Sequence, residues 1–222
     1  MLYSLLFELN SLPFVYKLII FLTYTVAVIV ALTSHEFAHA FTANKLGDPT
    51  AKKAGRLTLN PMAHFDTIGL LCFLFLGFGW AKPVPINTFN FSKVKRDTFL
   101  VSISGVLVNL IFAIIFCPLA MLSLNIALES TFGYVIYCLC TYMYQINIVL
   151  MVFNLLPIYP LDGFNAIASQ LSYTNKFVTF MQKYGSIILL VTLIVFNYTN
   201  LFSELVYYIS YPINKFWTLI LF

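Results

Sequence analysis

Residues 14–43 read FVYKLIIFLTYTVAVIVALTSHEFAHAFTA, an apolar stretch with few breaks. About 20 apolar residues are enough for a helix to cross the hydrocarbon core of a bilayer. The stretch therefore predicts a membrane-spanning helix. Its polar side chains gather near its end, in Ser34-His35-Glu36-Phe37-Ala38-His39. Ionisable groups inside a span are costly, and they usually mark a functional site.

The whole composition agrees with a membrane protein. The 222 residues are 61% hydrophobic and 9% charged, whereas soluble domains are about 45–50% apolar and about 25% charged. We therefore expect the lipid bilayer to be the solvent of this chain. The net charge of +4 comes from a few loops between apolar segments, where membrane topology explains it. Nucleic acid is not indicated as a partner.

Further apolar segments complete the predicted fold. Segments 98–124 and 134–156 are long enough to span, and segments 184–202 and 204–222 are either two spans or a hairpin. Segment 66–81 is short and suits a re-entrant element. We predict an all-α polytopic membrane protein with about five to six transmembrane helices. We expect residues 1–222 to form one domain, with its core at about 14–170 and C-terminal helices at about 180–222.

The basic residues predict the orientation of the segments. Lysines and arginines follow the first span and precede segment 98–124, whereas the loop around Glu129 has none. The positive-inside tendency then places the first two loops in the cytoplasm and the Glu129 loop outside. The first span and the span that ends near Asn154 both run from the outer side of the membrane to the cytoplasmic side. His35, His39 and Asp162 are therefore expected at a similar depth on the cytoplasmic side, and Glu204 on the outer side.

The His-Glu-x-x-His pattern carries the chemistry. Residues i and i+4 share one face of a helix, so His35 and His39 can bind the same metal ion. Glu36 is next to His35 and can take a proton from a water molecule on that metal. Zinc lowers the pKa of such a water to about 7. The pattern thus predicts one Zn²⁺ per chain, with Glu36 as the general base.

A catalytic zinc takes three protein ligands and keeps one position open. Asp162 is the best third ligand, although Leu161-Asp162-Gly163 is also a common turn sequence. Other acidic or imidazole side chains lie in the apolar regions or at their margins: Glu8, His64, Asp66, Asp97, Glu129 and Glu204.

The two motifs together resemble the site-2 protease family of intramembrane zinc metalloproteases. The second motif is Asn154-Leu155-Leu156-Pro157-Ile158-Tyr159-Pro160-Leu161-Asp162-Gly163. Two further stretches, Asn60-Pro61-x-x-His64-x-Asp66-x-x-Gly69 and Gly79-Trp80-Ala81-Lys82-Pro83-Val84-Pro85, resemble a compact prokaryotic branch without a PDZ or CBS domain. One departure is Gly105-Val106-x-x-Asn109, because the family often has Gly-Pro-x-x-Asn there.

The resemblance implies zinc held by His35, His39 and Asp162, with Glu36 as base, in a three-span catalytic core. It implies cleavage of transmembrane peptide or protein substrates by regulated intramembrane proteolysis. It places the chain in the cytoplasmic membrane of a prokaryote, with the active site toward the cytoplasm. A small β element between residues 50 and 92 is also expected at the membrane surface.

The resemblance leaves several roles open. Asn154 either binds the substrate carbonyl or its oxyanion as a catalytic group, or makes a helix C-terminal hydrogen bond. His64 is expected to hydrogen-bond a loop, with substrate contact or a second metal as alternatives, and Asn109 to bridge spans. A metal transporter or channel is a second reading, and an inactive relative that binds membrane proteins is a third. The oligomeric state is not indicated.

Overall fold

The computed structural model describes residues 12–66, 69 and 81–222. Glu8 and nearly all of the predicted re-entrant segment 66–81 lie outside the described residues. The described part is helical, as predicted, and its α-helices are α1 (Phe14–Lys45), α2 (Thr50–Lys53), α3 (Val94–Ala127), α4 (Thr131–Asn154), α5 (Asp162–Gln170), α6 (Lys176–Tyr198) and α7 (Leu201–Leu221). Helices α1, α3, α4 and α6 are long and apolar enough to cross a membrane.

Local chemistry sets the ends of the long helices. Helix α1 ends at Lys45, and two residues later Gly47 has a φ of 106°, in the left-handed region that favours glycine. At the start of α3, the Asp97 carboxylate accepts a hydrogen bond from the Lys93 N–H at 3.0 Å. At the start of α4, the Ser130 hydroxyl accepts one from the Gly133 N–H at 3.0 Å. These caps satisfy amide groups that the helix leaves without a partner.

Helices α1, α3 and α4 pack together as a three-helix core. Helix α1 contributes small buried residues, among them Ala27 and Ala31, which let the helix backbones approach closely. Between α3 and α4 the packing is apolar and includes Val106, Ile148 and Val152. Helix α5 lies along the first turns of α3, where Lys95 and Gln170 hydrogen-bond each other's backbone carbonyls.

Helix α7 runs antiparallel to α4, starting at the end of the bundle that holds His35 and His39; we call this the site end. The Phe202 ring, at the start of α7, contacts Phe153 near the end of α4 with ring centroids 6.4 Å apart. Further along α7, Asn214 accepts a hydrogen bond from the Tyr144 hydroxyl at 2.8 Å. Glu204 therefore lies at the site end, and not on the opposite side as the sequence predicted.

Helix α6 stays at the site end of the bundle. Near its start, Val178 is buried and the neighbouring Phe177 ring packs against Phe164 of α5. Near its end, the Phe196 ring stacks on Phe202 at 4.9 Å. Segment 184–202 therefore does not reach the far end, and α6 and α7 do not pack side by side as the hairpin that the sequence offered as an alternative. Hydropathy alone could not show this, because α6 is apolar enough to span.

The described parts of the segment 50–92 contain no β-strand. One isolated antiparallel bridge joins Phe65 and Ala81. Beyond Ala81 the chain is extended, but Pro83 and Pro85 have no N–H to donate to a neighbouring strand. The expected small β element is therefore limited to this bridge among the described residues.

Candidate metal centre

His35 and His39 face the centre of the bundle from one side of α1, and both are buried. Asp162, at the first turn of α5, meets them there. Its Oδ2 atom lies 3.0 Å from His35 Nε2 and 3.2 Å from His39 Nε2. The two Nε2 atoms are 3.1 Å apart. Asp162 lies more than 120 positions after the two histidines in the sequence, yet the three side chains present their ligand atoms to one point.

These distances fit the donor set of a zinc site. Zinc bonds to nitrogen and oxygen are about 2.0–2.1 Å long, so ligand atoms of a tetrahedral site lie about 3.3 Å apart. The three observed separations are within about 0.3 Å of that value. Asp162 Oδ2 is buried and has no hydrogen bond of normal geometry, as expected of an atom directed at a metal ion. In the described residues, this is the one group of three potential ligands close enough to hold a metal.

Gly105 on α3 makes room for the two histidine ligands. A Cβ atom at this position would lie 2.6 Å from His35 Cε1 and 2.6 Å from His39 Nε2. Contacts between non-bonded heavy atoms are normally about 3.5–4.0 Å. Any residue other than glycine would therefore push the imidazoles away from their present positions. The sequence drew attention to Gly105 through its family-like motif, but only the packing shows what it does.

The backbone of α3 orients His39. The His39 Nδ1–H donates to the carbonyl oxygen of Val101 at 2.7 Å. Since a carbonyl can only accept, Nδ1 carries the proton and the lone pair of Nε2 is left for a metal. By contrast, His35 Nδ1 is buried without a partner. Sequence reasoning did not find Val101, because a backbone carbonyl leaves no signal in the residue type.

The connection from α4 to α5 places Asp162. Gly163 packs against this connection so closely that a Cβ would lie 2.3 Å from the Leu155 carbonyl oxygen. Asp162 is also in the first turn of α5, where the helix dipole favours a negative charge. Burial alone would raise the pKa of Asp162, but the adjacent His35 and His39 outweigh burial and hold that pKa below its usual value.

Glu36 lies beside the three ligands and is only partly buried. Its Oε2 atom accepts a hydrogen bond from the backbone N–H of Val84 at 3.1 Å. The carboxylate is therefore held by the extended segment that follows Ala81. The sequence predicted Glu36 as a candidate base, but it gave no sign of this contact.

A cavity of about 840 Å³ opens onto the three ligands and Glu36. Its walls come from segment 83–89, the first turns of α3, helix α5 and the start of α6. Asn154 lines the same cavity and donates one amide N–H to the Leu150 carbonyl at 3.0 Å. An asparagine amide has two N–H groups, so the second remains for a ligand in the cavity. Both roles predicted for Asn154 are compatible with this position.

The other predicted candidates lie away from the three ligands. His64 is buried and its Nε2–H donates to the Thr58 carbonyl at 2.8 Å, which fits the expected structural role. The Asp66 carboxylate accepts from the Gly69 N–H, and Asp97 caps α3. Asn109 is fully buried between the helices, and neither of its side-chain polar atoms has a hydrogen-bond partner.

The chain is similar to several bacterial proteins. It is 41% identical over 169 residues to a Bacillus subtilis protein named "Putative zinc metalloprotease YwhC", with 75% of this chain and 77% of that protein covered. Proteins named "Putative zinc metalloprotease Rip2" from Mycolicibacterium smegmatis and Mycobacterium tuberculosis are 29% and 30% identical, and the chain covers 70% of each. No family model and no solved structure matches the chain.

Proposed function

This chain belongs to the family of zinc metalloproteases that includes YwhC and the Rip2 proteins, which are site-2 protease family members, and from that membership we propose that it is an intramembrane endopeptidase. It hydrolyses peptide bonds of transmembrane substrates at a single zinc ion. His35, His39 and Asp162 hold the ion, and Glu36 is the general base.

One observation carries the proposal. The three ligand atoms form a triangle with sides of 3.0, 3.1 and 3.2 Å, and the triangle faces a cavity that also contains Glu36. A hydrolytic metal site needs such a set of three protein ligands, an open side and a nearby base. A purely structural zinc site would have four protein ligands and no cavity.

Each group around the site has a distinct task in this mechanism. Zinc, when bound, polarises the substrate carbonyl and makes a water molecule acidic. Glu36 takes a proton from the attacking water at a carboxylate oxygen and delivers it to the nitrogen of the departing amine. The backbone carbonyl of Val101 keeps the His39 proton on Nδ1. Asn154 donates its free amide N–H to the carbonyl oxygen as negative charge develops there.

The surroundings of the cavity support a membrane substrate. Two of the three ligands, His35 and His39, project from α1, which packs with α3 and α4 in a core whose three helices are each long and apolar enough to span. Ten of the twelve basic residues lie at the site end of the bundle: Lys45, Lys52, Lys53, Arg56, Lys82, Lys93, Lys95, Arg96, Lys176 and Lys183. By the positive-inside tendency, the site end faces the cytoplasm. Water and the cut product would then exchange with the cytoplasm.

Zinc content and proteolysis, measured together, test the function. Wild type, Glu36→Gln and Asp162→Ala are purified in detergent and given a single-span peptide whose apolar segment contains glycine and proline. We expect wild type to hold about one zinc per chain and to cut the peptide. Glu36→Gln should retain zinc without cutting, because its amide cannot accept the proton. Asp162→Ala should lose zinc.

Two matched variants control for the loss of a carboxylate elsewhere. Glu204→Gln and Asp66→Ala make comparable changes away from the three ligands, and both should keep zinc and activity. Cleavage by Glu36→Gln, or a folded wild type that binds no zinc, would contradict the mechanism. A metal transporter remains the second candidate, but it requires ligands along the whole path, and the described residues hold a single such group.

A further inference from the structure

The extended segment 82–87 crosses over the part of α1 that carries Glu36. Its start is tied down because the Lys82 N–H donates to the His64 carbonyl at 2.8 Å, and the Lys82 carbonyl accepts from the Arg56 guanidinium. Arg56 and His64 are both buried. The segment therefore leaves the Phe65–Ala81 bridge at a fixed position.

The other end of the segment is fixed by a buried carboxylate. Asp48 has no solvent exposure and accepts hydrogen bonds from the Asn87 N–H and from the Asn90 amide, both at 2.7 Å. Burial raises the pKa of Asp48, but the hydrogen bonds from Thr50, Asn87 and Asn90 outweigh burial and keep that pKa below its usual value. Asp48 therefore stays ionised at neutral pH and holds the segment at Asn87.

Val84 sits between these two anchors. Its side chain is buried in a small cluster with Ala40, one turn beyond Glu36 on α1, and with Ala51 of α2. Its neighbours Pro83 and Pro85 have no backbone N–H. Val84 is therefore the one amide donor in the triplet 83–85, and it donates to Glu36 Oε2.

We propose that the Val84 N–H is a positioning group for Glu36: it holds one carboxylate oxygen so that the other faces the cavity as the proton acceptor. This inference rests on the proposed function. A glutamate side chain has three rotatable bonds, and ordering it costs up to about 2 kcal/mol of entropy. A fixed donor settles that orientation before the substrate arrives, which is the preorganisation that catalytic groups need.

The proline pair has a specific part in this arrangement. Pro83 and Pro85 each restrict their own φ to about −65° and confine the preceding residue to extended conformations. Lys82 and Val84 are those preceding residues. The segment is therefore stiff on both sides of the donor, and no neighbouring amide competes for Glu36.

Hydrogen exchange tests the contact without zinc or substrate. In a fragment of residues 82–85, Lys82 carries a free amino group and neither proline has an N–H, so Val84 supplies the one backbone amide that mass spectrometry reads, and fragments that begin upstream also report Lys82. In Glu36→Ala, the Val84 amide should exchange about tenfold faster, the factor expected for one lost hydrogen bond. Lys82 should exchange as in wild type, because its acceptor is His64. Glu36→Gln keeps an acceptor and should keep Val84 protected.

Kinetics test the role. Val84→Pro removes the N–H and keeps an apolar side chain, whereas Val84→Ala keeps the N–H and removes two methyl groups. We expect kcat of Val84→Pro to be about 10- to 100-fold below wild type, at similar KM and zinc content. Val84→Ala should be at least about tenfold faster than Val84→Pro. If the role of Val84 were purely structural, the activity of each variant would fall in proportion to its loss of melting temperature.

The outcomes separate this inference from the proposed function. If Glu36→Gln is inactive but Val84→Pro cuts like wild type with a full zinc load, the positioning role is wrong and the function stands. If Val84→Pro does not fold, hydrogen exchange decides, and unchanged Val84 exchange in Glu36→Ala overturns the contact. If wild type neither binds zinc nor cuts, the proposed function fails and the catalytic role of Val84 fails with it, whatever the exchange shows.

Discussion

Gly105→Ala is the substitution that most directly tests the geometry of the metal site. The new methyl group would start 2.6 Å from His35 Cε1, 2.6 Å from His39 Nε2 and 2.7 Å from His35 Nε2. Normal contacts of this kind are about 3.5–4.0 Å, so the two rings must retreat by about 1 Å. Metal sites tolerate ligand displacements of about 0.2 Å.

The effects of Gly105→Ala on folding and on zinc should therefore differ. Alanine in place of glycine stabilises a helix interior by about 0.5–1 kcal/mol, and overpacking costs about 1–3 kcal/mol. The free energy of unfolding of the zinc-free protein should thus fall by no more than about 2.5 kcal/mol. Zinc affinity should fall by about 100-fold or more, the scale that follows from a 1 Å misplacement.

The assay is a competition with a chelator for zinc, run beside thermal unfolding of the zinc-free protein. Gly133→Ala is the matched control. Its new Cβ would lie 1.9 Å from the Ile126 carbonyl oxygen, at the far end of the bundle. That variant should lose stability and keep wild-type zinc affinity. If Gly105→Ala binds zinc within about threefold of wild type, the ligands do not occupy the positions described here.

Two further predictions concern the elements around the site. Asp48→Asn should lower the melting temperature at pH 7 but less at pH 3. The Asp48 pKa is below its unfolded value of 3.8, so its stabilisation is present above that pH and is lost as the pH falls through the lower folded value; equal losses at both pH values would contradict this. Asn214→Leu should loosen α7 by about 0.6–2 kcal/mol, because Tyr144 and Cys117 lose their shared acceptor. Faster labelling of the buried Cys117 by a thiol reagent measures it, and the exposed Asn197→Leu on α6 should leave labelling unchanged.

The sequence was informative wherever a residue type has one strong physical meaning. Long apolar stretches predicted the helical membrane fold, since a bilayer accepts little else. His35 and His39 were paired by helix periodicity alone. The count of basic residues placed Asp162 on the same side of the membrane as the two histidines, and the structure brings all three to one point.

Tertiary structure decided the features that depend on packing and on the backbone. Helix α6 is as apolar as a span, yet its two ends contact elements at the site end, so hydropathy misplaced Glu204. The space at Gly105 exists only because two imidazoles from α1 meet α3 there. The groups that orient His39 and Glu36 are the Val101 carbonyl and the Val84 N–H. Every residue except proline has both groups, so residue identity cannot reveal them, and only the fold determines which carbonyl or amide lies beside a functional side chain.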